Sequence, residues 1–492
     1  MVIKVFRVVC MLAFVLGCHF AITADFWRTL SARAPTDVHD RHARKPARYC
    51  ALSASPEDVE HSDCTCGTAF SNFILGVTTP WQRTASGSRS GIGIPATITW
   101  SIVPDGTTVP GGGATAAGPS DLNNFLSTRF TGGVTGEDLI EQSFNRWDEL
   151  SGLSVVRELN DDGSGFSFST FNGVLGVRGD IRIGGQELDG PNGTLAFNFF
   201  PDAGADMVLD TSEFGFFGNS TNSNRPFRNT VMHEIGHAIG IDHVTSTSDG
   251  LLLEPSINLS FDGPQLDEVR AVQLVFGDAF EETNDGLGNE TVPTASDLGS
   301  IPVGGTIAIG TDADVPTQTI SSTATDFVSI SGEDDVDVYS FTVTSSISLD
   351  ITLTPLGGVF QQGGIASFDA NSRVDLALSV FDSDGESLLG SSDQSGLGGT
   401  ETLSSILLEP GTYFTQITGV QDTIQLYSLQ LTAASGALKG DVNLDGVVDF
   451  FDIGPFVARL TGLTFQFEAD IDDSGVVNFF DIQPFIDILQ EQ

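Results

Sequence analysis

The sequence of 492 residues is long enough for about three domains, because a domain commonly contains about 150 residues. Its 56 glycines, 20 prolines and 17% charged residues are typical of turn-rich, largely β domains and exclude a collagen or a coiled coil. With 65 acidic and 21 basic residues the net charge is -44, which repels a phosphate backbone, so no nucleic acid partner is expected.

The first 24 residues have the layout of a secretory signal peptide. Lys4 and Arg7 precede an apolar run at 8–16, and the first acidic residue is Asp25. We therefore expect secretion to the extracellular space with cleavage near Ala24. The alternative is a lipid anchor on Cys18, which would hold the protein at the cell surface. No later apolar stretch reaches the roughly 18 residues that span a bilayer, so no transmembrane segment is expected.

Residues 25–94 are a polar lead-in or a pro-segment, and the sequence defines their fold poorly. They contain Cys50, Cys64 and Cys66, an odd number, so at least one thiol is unpaired or bonds to another molecule. Cys50 is a candidate thiolate cap on a metal ion. Further along, alternation predicts a strand at 96–102, and helical spacing of apolar residues predicts a long helix at 137–158.

Three histidines lie within eleven residues, in the segment HEIGHAIGIDH at 233–243. His233 and His237 are four positions apart and share a helix face beside Glu234, while Gly240 permits the positive φ that returns His243 to the same point. Three neutral imidazoles with an open fourth position are the ligands of a catalytic Zn²⁺. We expect Glu234 to be the general base that acts on a zinc-bound water in peptide-bond hydrolysis. An amphipathic helix with incidental histidines is the alternative.

The histidine segment resembles the zinc signature of the metzincin metalloproteases, and its flanks at 95–278 resemble the matrixin branch. The resemblance implies an α+β catalytic domain with a central strand at 179–183, loop and edge strands at 188–197 and 206–214, and a closing helix at 266–277. It also implies a calcium site, because the carboxylates of Asp189, Asp210 and Glu213 match its ligands. The alternative is three solvated loop acids.

Three positions depart from the matrixin pattern. Phe197 and Val208 stand where the family has histidines of a second, structural zinc, so that site is not expected. Leu253 stands where the family has a methionine beneath the catalytic zinc, and its similar volume is expected to preserve the packing. A peptide substrate is expected to lie as an extended strand along the sheet edge near 194–197.

Residues 279–436 contain short alternating runs separated by Gly, Asp and Ser, which predict an all-β sandwich. The runs at 335–341, 380–385 and 411–414, together with the acidic stretch at 282–285, resemble the bacterial pre-peptidase C-terminal domain. A structural spacer and a module that binds a substrate or a surface are equally consistent with this segment.

Residues 437–492 contain a twelve-residue pattern twice, with an offset of 29 positions. Side-chain oxygens stand at positions 1, 3, 5, 9 and 12, Gly at position 6, and a backbone carbonyl serves at position 7, as in a Ca²⁺ loop. The predicted ligands are Asp441, Asn443, Asp445, Val447, Asp449 and Asp452 in the first loop, and Asp470, Asp472, Ser474, Val476, Asn478 and Asp481 in the second.

Asp at position 12 of each loop resembles the type I dockerin, a small all-α calcium-binding module. The resemblance implies a helix after each loop, at 456–460 and 485–489, and a cohesin-type partner. Four phenylalanines, Phe450, Phe451, Phe479 and Phe480, are candidates either for the partner-binding face or for the core of this small module.

The sequence thus predicts a multidomain, secreted zinc endopeptidase that acts on protein or peptide substrates, with structural Ca²⁺ and a C-terminal docking module. The predicted parts are a signal peptide at 1–24, a lead-in at 25–94, the protease at 95–278, the sandwich at 279–436 and the dockerin at 437–492. One alternative is a non-catalytic adhesion or scaffold protein that retains the metzincin fold. A zinc hydrolase acting on a substrate other than protein is the second.

Overall fold

The computed structural model describes residues 49–53, 81–88, 91–112, 115–130, 133–166, 173–244, 246, 250–361, 367–435, 438–462, 464–472 and 474–491. The predicted signal peptide, Cys18, Cys64 and Cys66 lie outside these residues. Among the helices of the described part, none has the length and apolar character that crossing a bilayer requires.

The first region is built on strands β1 to β10. Their bounds are β1 Tyr49–Ser53, β2 Arg83–Thr84, β3 Gly87–Ser88, β4 Ala96–Ile102, β5 Thr108–Val109, β6 Gly118–Pro119, β7 Leu153–Arg157, β8 Ile181–Gln186, β9 Thr194–Phe199 and β10 Met207–Asp210. Six of them form one sheet in the order β1-β9-β10-β8-β4-β7. Strands β10, β8, β4 and β7 are parallel, whereas β9 is antiparallel to β10 and β1 is antiparallel to β9.

Five helices accompany this sheet: α1 Leu122–Arg129, α2 Gly136–Asp148, α3 Phe214–Phe217, α4 Arg225–Ala238 and α5 Leu266–Phe276. Helix α2 begins with a capping box, in which Thr135 and Asp138 exchange backbone and side-chain hydrogen bonds of 2.8 and 3.1 Å. Its apolar face buries Leu139, Phe144 and Trp147.

The predicted helix at 137–158 is correct in its first part and wrong after Asp148. Ser151 and Gly152 follow the helix, and residues 153–157 form β7, which pairs in parallel with β4. Two adjacent valines in this stretch favour an extended backbone over a helix, because β-branched side chains lose rotamer freedom in a helix. The predicted strand at 96–102 and the predicted closing helix at 266–277 agree with β4 and α5.

The sheet also takes up chain from the segment predicted as the lead-in. Strand β1 pairs with β9, and the side chain of Leu52 is buried in the same apolar core as helix α4. Trp81 is likewise buried, and its Nε1 donates a hydrogen bond of 2.9 Å to the carbonyl oxygen of Ala238 at the end of α4. Residues well before 95 therefore contribute to this fold.

The second region begins with the short helix α6 Thr283–Gly286, and its described residues form twelve strands. These are β11 Ser296–Ile301, β12 Thr306–Ile309, β13 Val328–Ile330, β14 Val336–Val343, β15 Ile347–Leu356, β16 Val359–Phe360, β17 Phe368–Asp369, β18 Leu376–Phe381, β19 Leu388–Ser392, β20 Glu401–Leu408, β21 Gly411–Gly419 and β22 Gln425–Ser435. One sheet has the order β11-β14-β21-β18-β19, and the other has the order β12-β22-β15-β20 with β13 also paired to β22. Alternate residues of β15 and β22 are buried in a core to which both sheets contribute, which agrees with the predicted sandwich.

The sandwich and the first region share buried apolar contacts. Ile320, Ala324 and Phe327, which precede β13, belong to the same apolar cluster as Val269 and Val272 of helix α5. The boundary predicted near residue 279 therefore separates two secondary-structure types but crosses a continuous core.

The C-terminal region contains two helices, α7 Ile453–Gly462 and α8 Ile482–Glu491, one after each copy of the repeated sequence. Phe456 of α7 and Phe485 of α8 are buried and stacked, with ring centroids 4.1 Å apart and an interplanar angle of 10°. The two copies thus pack against each other through equivalent residues, around a core of very few side chains.

Candidate metal centre and active site

Helix α4 is the buried element that carries the histidine segment. It contains Pro226 in its first turn, a position at which proline is tolerated, and it ends at Ala238. Gly240 follows with a φ of 104°, the left-handed conformation that the sequence predicts at this position. Trp147 of α2 fixes the middle of α4, because its Nε1 donates a hydrogen bond of 3.0 Å to the carbonyl oxygen of Met232.

The three imidazoles converge on one point. Nε2 of His233 lies 3.0 Å from Nε2 of His237 and 3.1 Å from Nε2 of His243. The Nδ1 atom of His233 donates to the carbonyl oxygen of Leu252 at 2.6 Å, and that of His237 donates to the carbonyl oxygen of Ile241 at 2.7 Å. Since a neutral imidazole carries one proton, these bonds leave the lone pairs of both Nε2 atoms directed at the shared point.

Burial keeps these imidazoles neutral. It lowers the pKa of His237 to about 4 and lowers the pKa of His233 well below its ordinary value. Burial and the two neighbouring imidazoles lower the pKa of His243 in the same way. Neutral imidazole is the form that binds a metal ion, so the protonation state suits the geometry.

The donor set fits Zn²⁺. Ligand atoms at about 2.0–2.1 Å from a tetrahedral ion are about 3.3 Å apart, which is close to the observed separations of the Nε2 atoms. Three lone pairs facing each other at this distance repel without a cation between them. Each of the two Nδ1 bonds to a carbonyl oxygen is also the outer contact that commonly orients a metal-binding histidine.

Glu234 has the environment of a functional acid rather than of a structural one. Its side chain is fully buried, and neither carboxylate oxygen has a hydrogen-bond partner among the described residues. Burial raises its pKa well above the ordinary value. Buried polar atoms are normally hydrogen-bonded, so the two unpartnered oxygens of the residue that follows His233 leave this carboxylate available to a bound molecule.

A buried turn at 251–253 supports the site from below. Leu253 is fully buried, and its side chain lies under Gly236, where an added Cβ would approach it to 3.0 Å. Leu253 therefore fills the place beneath the histidine helix at which the matrixin resemblance puts a methionine. The carbonyl oxygen of Leu253 also accepts a hydrogen bond of 3.0 Å from the backbone of Val244, next to His243.

The sheet edge predicted to bind substrate is occupied by the chain itself. Strand β1 pairs along β9, with Tyr49 opposite Phe199 and Leu52 opposite Ala196, and it contacts helix α4. Residues 49–53 thus lie where an extended peptide is expected. The side chain of Cys50 lies outside the described residues, so the suggestion that it caps the metal stays a prediction.

The three acids of the predicted calcium loop lie near one another but do not converge as the imidazoles do. Both oxygens of Asp189 accept a hydrogen bond from the backbone of Thr194, and an oxygen of Glu213 accepts one from Asn192. Asp210 is buried, and its Oδ2 has no hydrogen-bond partner among the described residues. Burial raises the pKa of both Asp210 and Glu213. The calcium assignment stays a prediction.

The two positions of the second-zinc histidines lie in a small apolar cluster. Phe197 and Val208 are paired across β9 and β10 and are buried together with Val103, Val109 and Leu188. Apolar packing therefore holds this part of the sheet together.

The two C-terminal loops have nearly identical hydrogen bonds. In the first, Oδ2 of Asp441 accepts from the backbone of Gly446 and Oδ2 of Asp452 accepts from that of Asp449, both at 2.8 Å. In the second loop, Oδ2 of Asp470 accepts from the backbone of Gly475 and Oδ2 of Asp481 accepts from that of Asn478, also at 2.8 Å. Gly446 and Gly475 have φ values of 86° and 79°, which the predicted turn at position 6 requires.

Three of the predicted ligands of the second loop lie close together, and the full ligand sets of both loops stay a prediction. In the second loop, carboxylate oxygens of Asp470, Asp472 and Asp481 lie within 4.8 Å of one another. Four phenylalanines that the sequence left open between core and surface are 77–81% exposed: Phe450, Phe451, Phe479 and Phe480. They are surface residues, at equivalent positions of the two copies.

One buried acid, Glu268, and one group of three acids were not singled out from the sequence. Glu268 of α5 contacts the turn at 251–253, and its signal was the spacing Gln265-x-x-Glu268 of a capping box. The group of three, Glu281, Asp335 and Asp337, has carboxylate oxygens within 4.8 Å of one another next to the boundary of the sandwich. The sequence feature that could have indicated this group is the pair of acidic stretches on either side of the first sandwich strands.

Comparison with known protein families assigns two parts of the chain. Residues 131–277 match the family described as Matrixin, and residues 335–419 match the bacterial pre-peptidase C-terminal domain. These matches support a zinc metalloendopeptidase domain followed by a β-rich domain of the second family.

The relatives are metalloproteinases that are similar in one part of their length. Interstitial collagenase of Bos taurus is 32% identical over 145 residues, which is 29% of this chain and 28% of the relative. Matrix metalloproteinase-20 of Homo sapiens is 31% identical over 150 residues, with the same shares, and Metalloendoproteinase 2-MMP of Arabidopsis thaliana is 26% identical over 149 residues, 29% of this chain and 37% of the relative. The chain thus spans less than two fifths of each of these relatives.

One solved structure, the pre-peptidase C-terminal domain of collagenase from Bacillus anthracis, is 17% identical and covers 28% of this chain and 96% of that one. Its TM-score of 0.17 is too low to support an argument.

Proposed function

We propose that this protein is a secreted zinc endopeptidase whose catalytic part is the first region of the fold. The observation that carries the proposal is the convergence of three Nε2 atoms beside a fully buried carboxylate without a hydrogen-bond partner among the described residues. The matches to metalloproteinases support the same activity.

His233, His237 and His243 would hold the zinc ion. When bound, Zn²⁺ lowers the pKa of a water molecule towards about 7 and polarises a carbonyl group. Glu234 accepts the proton of the attacking water and passes it to the leaving amine, for which its buried, unpartnered oxygens are free. The carbonyl oxygens of Leu252 and Ile241 keep the first two imidazoles in the required tautomer.

The substrate would bind as an extended strand antiparallel to β9. Main-chain hydrogen bonds along such an edge give affinity without demanding particular side chains. Because β1 pairs with the same edge in this structure, residues 49–53 have to leave β9 before a protein substrate can take the position. The activity assay should therefore include a protein sample whose N-terminal segment has been removed by a protease.

Glu234→Gln tests the mechanism. The amide has the same shape but cannot accept a proton, so we expect casein hydrolysis to fall by about 10²- to 10⁴-fold with the zinc content unchanged. Glu149→Gln, at a half-exposed carboxylate of another helix end, is the matched control and should keep full activity. Wild-type hydrolysis by Glu234→Gln would refute the assigned role.

Assays of the wild-type protein with a peptide and with an ester separate the two alternative functions. A scaffold protein that retains the fold would bind zinc and hydrolyse neither peptide nor ester. A zinc hydrolase with another substrate would hydrolyse an ester but leave casein intact. The burial of Leu253 beneath the histidines removes one reason to prefer the scaffold, because the support of the site is filled.

We further propose that residues 437–492 are a calcium-binding module of type I dockerin, with a cohesin-type partner. The support is the duplicated loops, the helix after each loop and the repeated hydrogen bonds of their carboxylates. The four exposed phenylalanines lie at symmetric positions and are the candidates for the partner-binding face.

A further inference from the structure

Glu268 lies one layer beyond the metal centre, on helix α5. Its side chain is 2% exposed, and both carboxylate oxygens are engaged by backbone N–H groups. Oε2 accepts from Gln265 at 2.8 Å, which caps the helix. Oε1 accepts from Leu253 at 3.1 Å, fifteen residues earlier in the chain.

The turn held by Glu268 contacts two of the three histidine positions. The carbonyl oxygen of Leu252 accepts the Nδ1 hydrogen of His233, and the carbonyl oxygen of Leu253 accepts from Val244, the neighbour of His243. The position of this turn therefore determines the direction of one imidazole and the course of the backbone at another.

Gln265 joins Glu268 to the sandwich. It is fully buried, and its side chain accepts a hydrogen bond of 3.1 Å from the backbone of Ile320. The neighbouring backbone of Leu266 donates to the carbonyl oxygen of Gln318. Ile320 is itself buried in the core shared with helix α5, so the segment 318–321 is fixed by packing as well as by hydrogen bonds.

We propose that Glu268 is a positioning residue for the metal centre, and that the sandwich segment 318–321 holds it in place through Gln265. This proposal rests on the zinc site of the proposed function. The β-sandwich is then a part of the catalytic unit: it sets the affinity of the three imidazoles for the ion through a chain of hydrogen bonds.

The test is a series of variants of the full chain, with metal affinity measured by competition against a chromophoric zinc chelator. Glu268→Ala frees the turn, and zinc affinity should fall by about 10- to 100-fold, the range seen when outer contacts of metal ligands are removed. Gln265→Ala, one step further from the metal, should weaken zinc binding by a smaller factor in the same direction. The visible spectrum of the Co²⁺-loaded protein should change in the same order, because it reports ligand geometry.

Gln273→Met is the matched control on the same helix. Gln273 is buried and donates to the carbonyl oxygens of Leu150 and Phe327, away from the turn. This variant should lose thermal stability while keeping the zinc affinity and the Co²⁺ spectrum of the wild type. A structural role of α5 alone would make all three variants behave alike.

Three results overturn the proposal in whole or in part. Unchanged zinc affinity in Glu268→Ala overturns it, as does an equal loss in Gln273→Met. Wild-type affinity in Gln265→Ala, beside a loss in Glu268→Ala, overturns the role of the sandwich. If Glu268→Ala does not fold, Glu268→Gln replaces it: the amide oxygen can accept from only one of the two N–H groups, so unchanged zinc affinity there overturns the proposal.

Failure of the proposed function gives a different pattern. A wild-type protein that binds zinc and hydrolyses no peptide refutes the endopeptidase, whereas the affinity series and the Co²⁺ spectra still decide the role of Glu268.

Discussion

The histidine site on helix α4 and the duplicated loops of the C-terminal region differ in their ligand atoms and in the size of the apolar core that supports them. His233 and His237 project from a helix in which twelve of fourteen residues are buried, and apolar residues of that helix belong to the large apolar core. The loops offer side-chain oxygens as predicted ligands, and in the described part of this region the core consists of five buried apolar residues with four others packed against it.

The difference concerns what the metal ion contributes. A nitrogen site on a prefolded core leaves the ion free for chemistry, because the fold does not depend on it. A module of about 55 residues with few buried side chains has little apolar burial, so we expect ion binding to supply part of its folding free energy. Zinc would thus act as a reagent, and calcium as a structural element.

The largest expected effect follows from metal removal. In a chelator, amide hydrogen exchange of the full chain should become fast throughout 441–491, whereas helices α4 and α5 should stay protected. Peptide-resolved mass spectrometry measures both regions in one experiment.

Asp481→Asn should reproduce part of that loss in the presence of calcium, because it removes a carboxylate from position 12 of the second loop. Asp487→Asn, at an exposed residue of helix α8 outside the loop, is the control and should exchange like the wild type. Full protection of 441–491 in chelator would show that this region, like the helix of the histidine site, folds without a metal ion.

A smaller effect is expected at the apolar cluster beside β9. Phe197 is buried there, so Phe197→Ala should lower the free energy of unfolding by about 3–5 kcal/mol. Zinc affinity should change little, because Phe197 belongs to a different apolar cluster from the one that contains helix α4. Denaturant titration followed by tryptophan fluorescence gives the free energy, and Phe214→Ala, at a half-exposed phenylalanine, should cost less than about 1 kcal/mol.

The smallest expected effect is a pH dependence of stability, which is caused by acids buried in the core and not by the acids of the loops. Burial, followed by the charges of Asp335 and Asp278, raises the pKa of Glu281 to about 10, and burial raises that of Asp337 well above its ordinary value. The folded state therefore keeps protons that the unfolded chain loses near pH 4. The resulting stabilisation is complete below that pH and is lost as the pH rises through the folded pKa.

Between pH 8 and pH 9 we expect the free energy of unfolding in chelator to fall by about 1–2 kcal/mol, because one proton that only the folded state retains changes it by about 1.4 kcal/mol per pH unit. Glu281→Gln should flatten this slope, because its side chain does not titrate. A free energy that rises with pH over this range would contradict the assignment. The histidines do not interfere above pH 8, because they are neutral both in the folded state, where burial lowers the pKa of His233 and His237, and in the unfolded chain, where the pKa is about 6.5.

The sequence predicted the parts of the molecule whose signals are local. The histidine spacing with Gly240, the strand at 96–102, the closing helix and the two loops each depend on neighbours in the chain, and the structure shows these elements at the predicted positions. The helix at 137–158 was predicted too long because the pairing of β7 with β4, which ends it, is a contact between distant segments.

Long-range contacts account for the other omissions. Leu52 and Trp81 are in the core of the first region, yet they precede the segment that carries the family pattern and have no periodicity around them. Glu268 accepts from the backbone of Leu253, and Gln265 accepts from the backbone of Ile320 in the sandwich. Such bonds to backbone groups leave no signature in the sequence. The exposure of the four phenylalanines depended on how the two copies pack.

The pairing of β1 with β9 has a kinetic consequence. A segment that is covalently joined to its binding edge acts as a competitor at an effective concentration on the order of millimolar. A free peptide that pairs with the same backbone groups of β9 competes with this tethered segment. It can bind only during the fraction of time in which the segment is detached. Cutting the connection turns this competitor into a dilute solute, so a single cleavage can open the edge, at the cost of the core contacts that Leu52 makes.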